Sequence, residues 1–195
     1  MADNTLIRVW DPLVRLVHWA LVAGIAVNLW LTEEGSDIHQ WIGYALVALI
    51  AVRILWGFIG PWSARWRSFW PTMSRLQCAL RGRHSKIEQT SITHTPLGAI
   101  MMLVLLGLIL GLGLTGYMME ETDRFWGVDW VEETHEFMAN AILFLVPLHV
   151  LGAVVESIKQ SDNLIASMLH GYRRRPTPNP NAKAKAKAKA HDVQS

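Results

Sequence analysis

Apolar residues run almost unbroken through four stretches, roughly Pro12–Leu31, His39–Ile59, Leu97–Met119 and Glu136–Ile158. Each is near the ~20 residues that a helix needs to cross the hydrocarbon core of a bilayer. A backbone in lipid must pair its own polar groups, which leaves helices or closed barrels. The runs lack the ten-residue alternation of a barrel strand, so four helices are predicted. The first run is too long for a cleaved leader, and Asn28-Leu29-Trp30-Leu31 offers no small-residue cleavage site. The expected fold is all-α, an integral membrane four-helix bundle over residues 1–172. A low-complexity tail follows at 173–195, where Pro176–Asn181 leads into Ala-Lys repeats and disorder is expected.

Polar residues between the runs set an orientation. The N-terminal stretch, the 60–96 loop and the C-terminus hold sixteen Lys and Arg; the 32–38 and 120–134 loops hold Arg124 alone, among many acidic residues. The positive-inside rule then places both termini in the cytoplasm of a bacterial inner membrane. Ten tryptophans sort the same way. Trp10, Trp19, Trp56, Trp62, Trp66 and Trp70 fall toward the inner interface, and Trp30, Trp41, Trp126 and Trp130 toward the outer one, where indoles favour headgroup depth. Trp66, Phe69 and Trp70, set between arginines, are expected to lie flat on the inner surface.

Composition narrows the class. Of 195 residues, 51% are hydrophobic and only 17% charged, with a mean hydropathy of +0.22, unlike an ordinary soluble domain. One cysteine, Cys78, excludes an internal disulfide and a zinc ribbon. The net charge of +2 comes from the tail; residues 1–172 carry eleven basic and fifteen acidic side chains. That body offers no continuous basic face for nucleic acid. Lipid is the expected surrounding.

Eight histidines are present. His84, His170 and His191 lie outside the runs. His94, just before Pro96, reads most simply as an interfacial or helix-entry residue, with a ligand role as the lesser alternative. Ionisable groups inside a span are costly and need partners, which singles out His18, His39, His135 and His149. His135 and His149 are 14 residues apart, about 21 Å along a helix and within about 40° in direction. His18 matches the depth of His149, and His39 that of His135. Two levels follow, one pairing His18 with His149 and the other His39 with His135. Two imidazoles are too few for a zinc site. Haem iron, with four ring nitrogens already bound, needs only two axial ligands. No C-x-x-C-H is present, so two non-covalent haem b groups with bis-histidine ligation are implied. Gly24, Gly43, Gly57 and Gly152 would give such macrocycles room, whereas Gly107, Gly111, Gly113 and Gly116 read as helix-packing positions. Pro147 is expected to kink the fourth helix. Arg53, 14 residues after His39, either neutralises a haem propionate, lines a quinone pocket, or snorkels to the inner surface.

The chain resembles the prokaryotic four-helix di-haem cytochrome b group, which includes cytochrome b561 and the hydrogenase b-type cytochrome subunits. The matching stretches are Arg15-Leu16-Val17-His18-Trp19, His39-Gln40-Trp41-Ile42-Gly43 leading to Val52-Arg53, His94-Thr95-Pro96-Leu97-Gly98-Ala99, and His135-Glu136 with Leu148-His149. The resemblance covers about residues 5–172. It implies axial ligands at His18, His39, His135 and His149. It also implies electron exchange between a quinone pool and a redox partner, without saying which; the expected partner is an outer-side protein such as a c-type cytochrome or a hydrogenase. The acidic outer loops with Trp126 and Trp130 are a candidate docking face. Two rival readings are a superoxide:quinone oxidoreductase and a haem-free proton or ion transporter using the histidines, Arg53 and Glu156. Whether the chain is itself an enzyme, and whether protomers pair, stays open.

Overall fold

A computed structural model of the chain describes residues 6–72, 74, 76–77 and 95–174. A short strand β1 (Leu6–Arg8) leads into α1 (Pro12–Trp30) and α2 (Asp37–Ile59); a 3-10 turn at Trp62–Ala64 and the short α3 (Trp66–Phe69) follow. Then come α4 (Pro96–Glu121), α5 (Asp129–Gln160), α6 (Leu164–His170) and the strand β2 (Tyr172–Arg174). The helices α1, α2, α4 and α5 are long and apolar enough to cross a membrane. His84, His94, Cys78, Arg75 and the tail from Arg175 onward lie outside the described residues.

Three of the four long helices, α1, α2 and α4, start where the sequence supplies a capping side chain. Asp11 accepts from the backbone N–H groups of Leu13 at 2.8 Å and Val14 at 3.2 Å, with Pro12 next in the chain. Ser36 accepts from His39 N–H at 3.3 Å, and Thr95, before Pro96, accepts from Gly98 N–H at 3.2 Å. These bonds satisfy N–H groups that have no partner within the helix. α5 begins seven residues before the apolar run that predicted it, at Asp129 rather than Glu136. Hydropathy locates the hydrocarbon depth, while the helix runs on into polar surroundings; Asp129 and Glu132 suit the positive end of its dipole.

α1 packs on α2, α2 on α4, and α4 on α5. Between the helices a buried cluster consists of Val17, Leu21, Leu46, Ile50, Ile109 and Ile142, and a second, Val9, Trp10, Val14 and Ala64, lies at the N-terminal end of α1. Ile142 is midway between His135 and His149, so the first cluster separates the two histidine levels.

Both described ends of the chain meet at one end of the bundle. β1 and β2 pair antiparallel, with Ile7 opposite Arg173. Arg173, counted with the tail in the sequence reading, is instead buried and bridges Asp162 at 3.0 Å. The tail reading therefore gives up Arg173 and Arg174. Gly171 turns the chain between α6 and β2 at φ +89°, and its carbonyl accepts from Val9 and Trp10. A side chain there would also crowd Arg15 and the Trp10 carbonyl. Arg15 donates to the carbonyls of Met168 and Leu169, and Trp19 donates to Met168. These bonds occupy backbone acceptors left open at the end of α6. Trp10 is not an interfacial anchor: it is buried and donates to Ser167 Oγ at 3.0 Å. This β-clasp marks one end of the bundle. At the far end, Trp30, Trp41, Trp126 and Trp130 are exposed, as interfacial residues would be.

Candidate functional site

The far level lies just inside the two loops opposite the clasp. His39 sits in the first turn of α2 and His135 in the second turn of α5. Their rings meet with centroids 6.3 Å apart and planes tilted by 51°. Each ring has one nitrogen at a threonine. His135 Nδ1 lies 2.8 Å from Thr115 Oγ1, and His39 Nδ1 lies 3.4 Å from Thr32 Oγ1. Both hydroxyls also sit 2.9 Å from a carbonyl of their own helical turn, Gly111 for Thr115 and Asn28 for Thr32. A carbonyl only accepts, so each hydroxyl hydrogen is spent there and each oxygen accepts from a ring N–H. This makes Nδ1 the protonated nitrogen and leaves Nε2 with a free lone pair.

Ring centroids about 6 Å apart leave room for one metal bound to both imidazoles through bonds of about 2 Å. The observed separation is 6.3 Å. Among the described residues no three His, Cys, Asp or Glu side chains gather as a metal site. Two donors suit an iron whose other positions a macrocycle fills.

At the clasp-side level His18 of α1 lies within electrostatic range of His149 of α5. His18 packs edge-on against Trp19, with centroids 5.2 Å apart. Its Nδ1 is buried with no hydrogen-bond partner among the described residues. A buried polar nitrogen without a partner is costly, so this ring is not held from behind as the far-level rings are.

Space accompanies both levels. The close helix contacts run α1–α2–α4–α5, while the pairs that carry facing histidines, α1 with α5 and α2 with α5, make no extensive backbone contact. Gly43, one turn beyond His39, and Gly152, three residues beyond His149, have nothing within 4 Å of where a Cβ would stand. Gly24 and Gly57 do not open room as the sequence reading expected. Gly24 is filled by Leu46 and Gly57 by the Trp66 indole. Gly111 and Gly113 are packing positions, against Met138 and Val47.

Arg53 does not snorkel to water: it is 5% exposed. Its guanidinium donates to the Ala64 carbonyl at 3.3 Å and lies 4.7 Å from the Trp66 ring centroid. Trp66 does not lie flat on the bundle surface either, since its indole N–H donates to the Ile54 carbonyl of α2 at 3.1 Å. Beside it an apolar groove of about 440 Å³ runs between α2 and α4, lined by Ile54, Phe58, Trp66, Trp70, Leu103 and Leu106. Glu156 accepts from Gln160 of its own helix. His170 accepts from Tyr172 N–H near the clasp.

Thr32 and Thr115 escaped the sequence reading. The available signal was a hydroxyl alone in an apolar stretch, as at Thr115 in α4. Nothing in the spacing links it to His135, 20 residues away on another helix.

A family model described as prokaryotic cytochrome b561 matches residues 9–171. Searches of curated proteins and of solved structures return no match. The matched span takes in all four crossing helices and both histidine levels. The chain therefore belongs to the prokaryotic cytochrome b561 family, multi-pass membrane cytochromes that carry haem b and transfer electrons.

Proposed function

We propose that this chain holds two haem b groups and passes electrons between membrane quinone and a redox protein. His18 and His149 hold the clasp-side group, and His39 and His135 the far one. When bound, haem b supplies reversible one-electron chemistry. Two histidines at each level would hold the iron without leaving a place for oxygen, which favours electron transfer over oxygen binding. Thr32 and Thr115 keep Nε2 of each far-level ring free to bind. Ile142, Leu46 and Ile50 keep the interval between the levels apolar.

The clasp end carries the excess of Lys and Arg, so it faces the cytoplasm and the acidic far end faces outward. The outer loops with Trp126 and Trp130 then form the docking face for a c-type cytochrome or hydrogenase-like partner. The groove beside Trp66 is apolar enough for a quinone, and Arg53 stands behind its indole wall.

One observation carries this reading: the His39 and His135 rings, from two different helices, come together with their centroids 6.3 Å apart. The test is the haem content of the purified protein, read as a pyridine haemochrome and a dithionite-reduced spectrum. Two haem b per chain are expected, with one remaining after His39→Ala. A colourless protein, or two haems retained in that variant, rejects the assignment.

A further inference from the structure

The two histidine levels differ in what stands behind the ligands. The far ring His135 rests on Thr115 at 2.8 Å, while at the other level His18 Nδ1 has no partner among the described residues. We propose that Thr115 is a positioning residue that holds the His135 ring and lowers the reduction potential of the far site alone. This rests on the haem reading above.

Thr115 is itself held. Its hydroxyl donates to the Gly111 carbonyl at 2.9 Å, with Leu112 O at 3.2 Å, on the rigid backbone of α4. The oxygen is therefore a directed acceptor for His135 Nδ1–H. The ring is boxed from the same helix, since a Cβ on Gly116 would stand 3.5 Å from His135 Cε1. Accepting a hydrogen bond from the far side of an imidazole raises the basicity of its metal-binding nitrogen. A more basic ligand favours ferric over ferrous iron, so the potential falls. Thr32 does the same for His39 through a longer contact of 3.4 Å. A hydroxyl in an apolar helix also has a structural use, bonding back to its own turn. That use explains the Gly111 contact but not the second contact to a ring 20 residues away.

The test is a potentiometric titration of the purified full chain, following the reduced α-band, for wild type, Thr115→Val and Thr115→Ser. Valine keeps the shape and deletes the acceptor; serine keeps the acceptor. The titration should resolve two steps. In Thr115→Val the lower step should move upward and the other stay; Thr115→Ser should titrate like wild type. Loss of one haem in Thr115→Val, with both kept in Thr115→Ser, supports the same role through ring orientation. Unmoved steps in Thr115→Val, both steps moving together, or Thr115→Ser behaving as Thr115→Val overturns it. Absence of haem from the wild-type protein instead rejects the underlying assignment, so the two failures are distinguishable.

Discussion

The two histidine levels use the same donor set in different surroundings. At the far level each ring rests on a threonine and lies toward the acidic end of the bundle. At the clasp level His18 Nδ1 is buried with no partner among the described residues, and the ring lies toward the basic end. On the haem assignment proposed above, ligand basicity and nearby charge would act in the same direction: both would stabilise oxidised iron at the far level relative to the clasp level. A pair of chemically identical ligand sets can thus be separated in potential by the residues behind them.

The largest expected effect comes from deleting one level at a time. His39→Ala should remove the lower-potential step and His149→Ala the higher one, each halving haem content. Redox titration of the two single-haem proteins checks this. The opposite order would mean that helix packing, not ligand hydrogen bonding and charge, sets the difference.

The next contrast uses space. Gly43→Leu puts a side chain into the open volume beside His39 and should cost the far haem. Gly107, also open, borders the groove beside Trp66 instead. Gly107→Leu should leave both haems in place and slow reduction by a quinol about tenfold, a barrier change of about 1.4 kcal/mol. Haem content and quinol-dependent reduction rates separate the two outcomes.

Gly57→Ala should have a smaller effect, confined to the clasp side. Its methyl group meets the Trp66 indole, which must shift and loosen its bond to Ile54 and its stacking with Arg53. Overpacking of this kind costs about 1–3 kcal/mol, visible as a lower thermal midpoint with both haems retained. Ser167→Ala, which removes the partner of Trp10, should cost about 1 kcal/mol in the same measurement and leave both redox steps unmoved.

How much could be read in advance follows from the range of each interaction. Four spanning helices were legible because the cost of crossing hydrocarbon is counted residue by residue along a continuous run. Their starts at Pro12 and Pro96 were within a residue or so of the apolar limits because capping is local. α5 was cut short in the reading because hydropathy reports depth and not helix length. The common face of His135 and His149 could be computed from helical periodicity. Trp10, Trp66, Gly24 and Gly57 were misread because their neighbours come from other elements.

By itself, then, the sequence determined the number of crossings, their alternation, the charge asymmetry of the two ends and the depth of each histidine. These depend on hydropathy and on the fixed rise and turn of one helix. Only the tertiary structure decided how each helix is rotated and which pairs stay apart. That rotation sets Thr115 behind His135, seats Trp66 in the gap at Gly57, and leaves the space beside Gly43 and Gly152 open. A side chain's environment inside a bundle depends on relative helix rotation, which no single helix encodes.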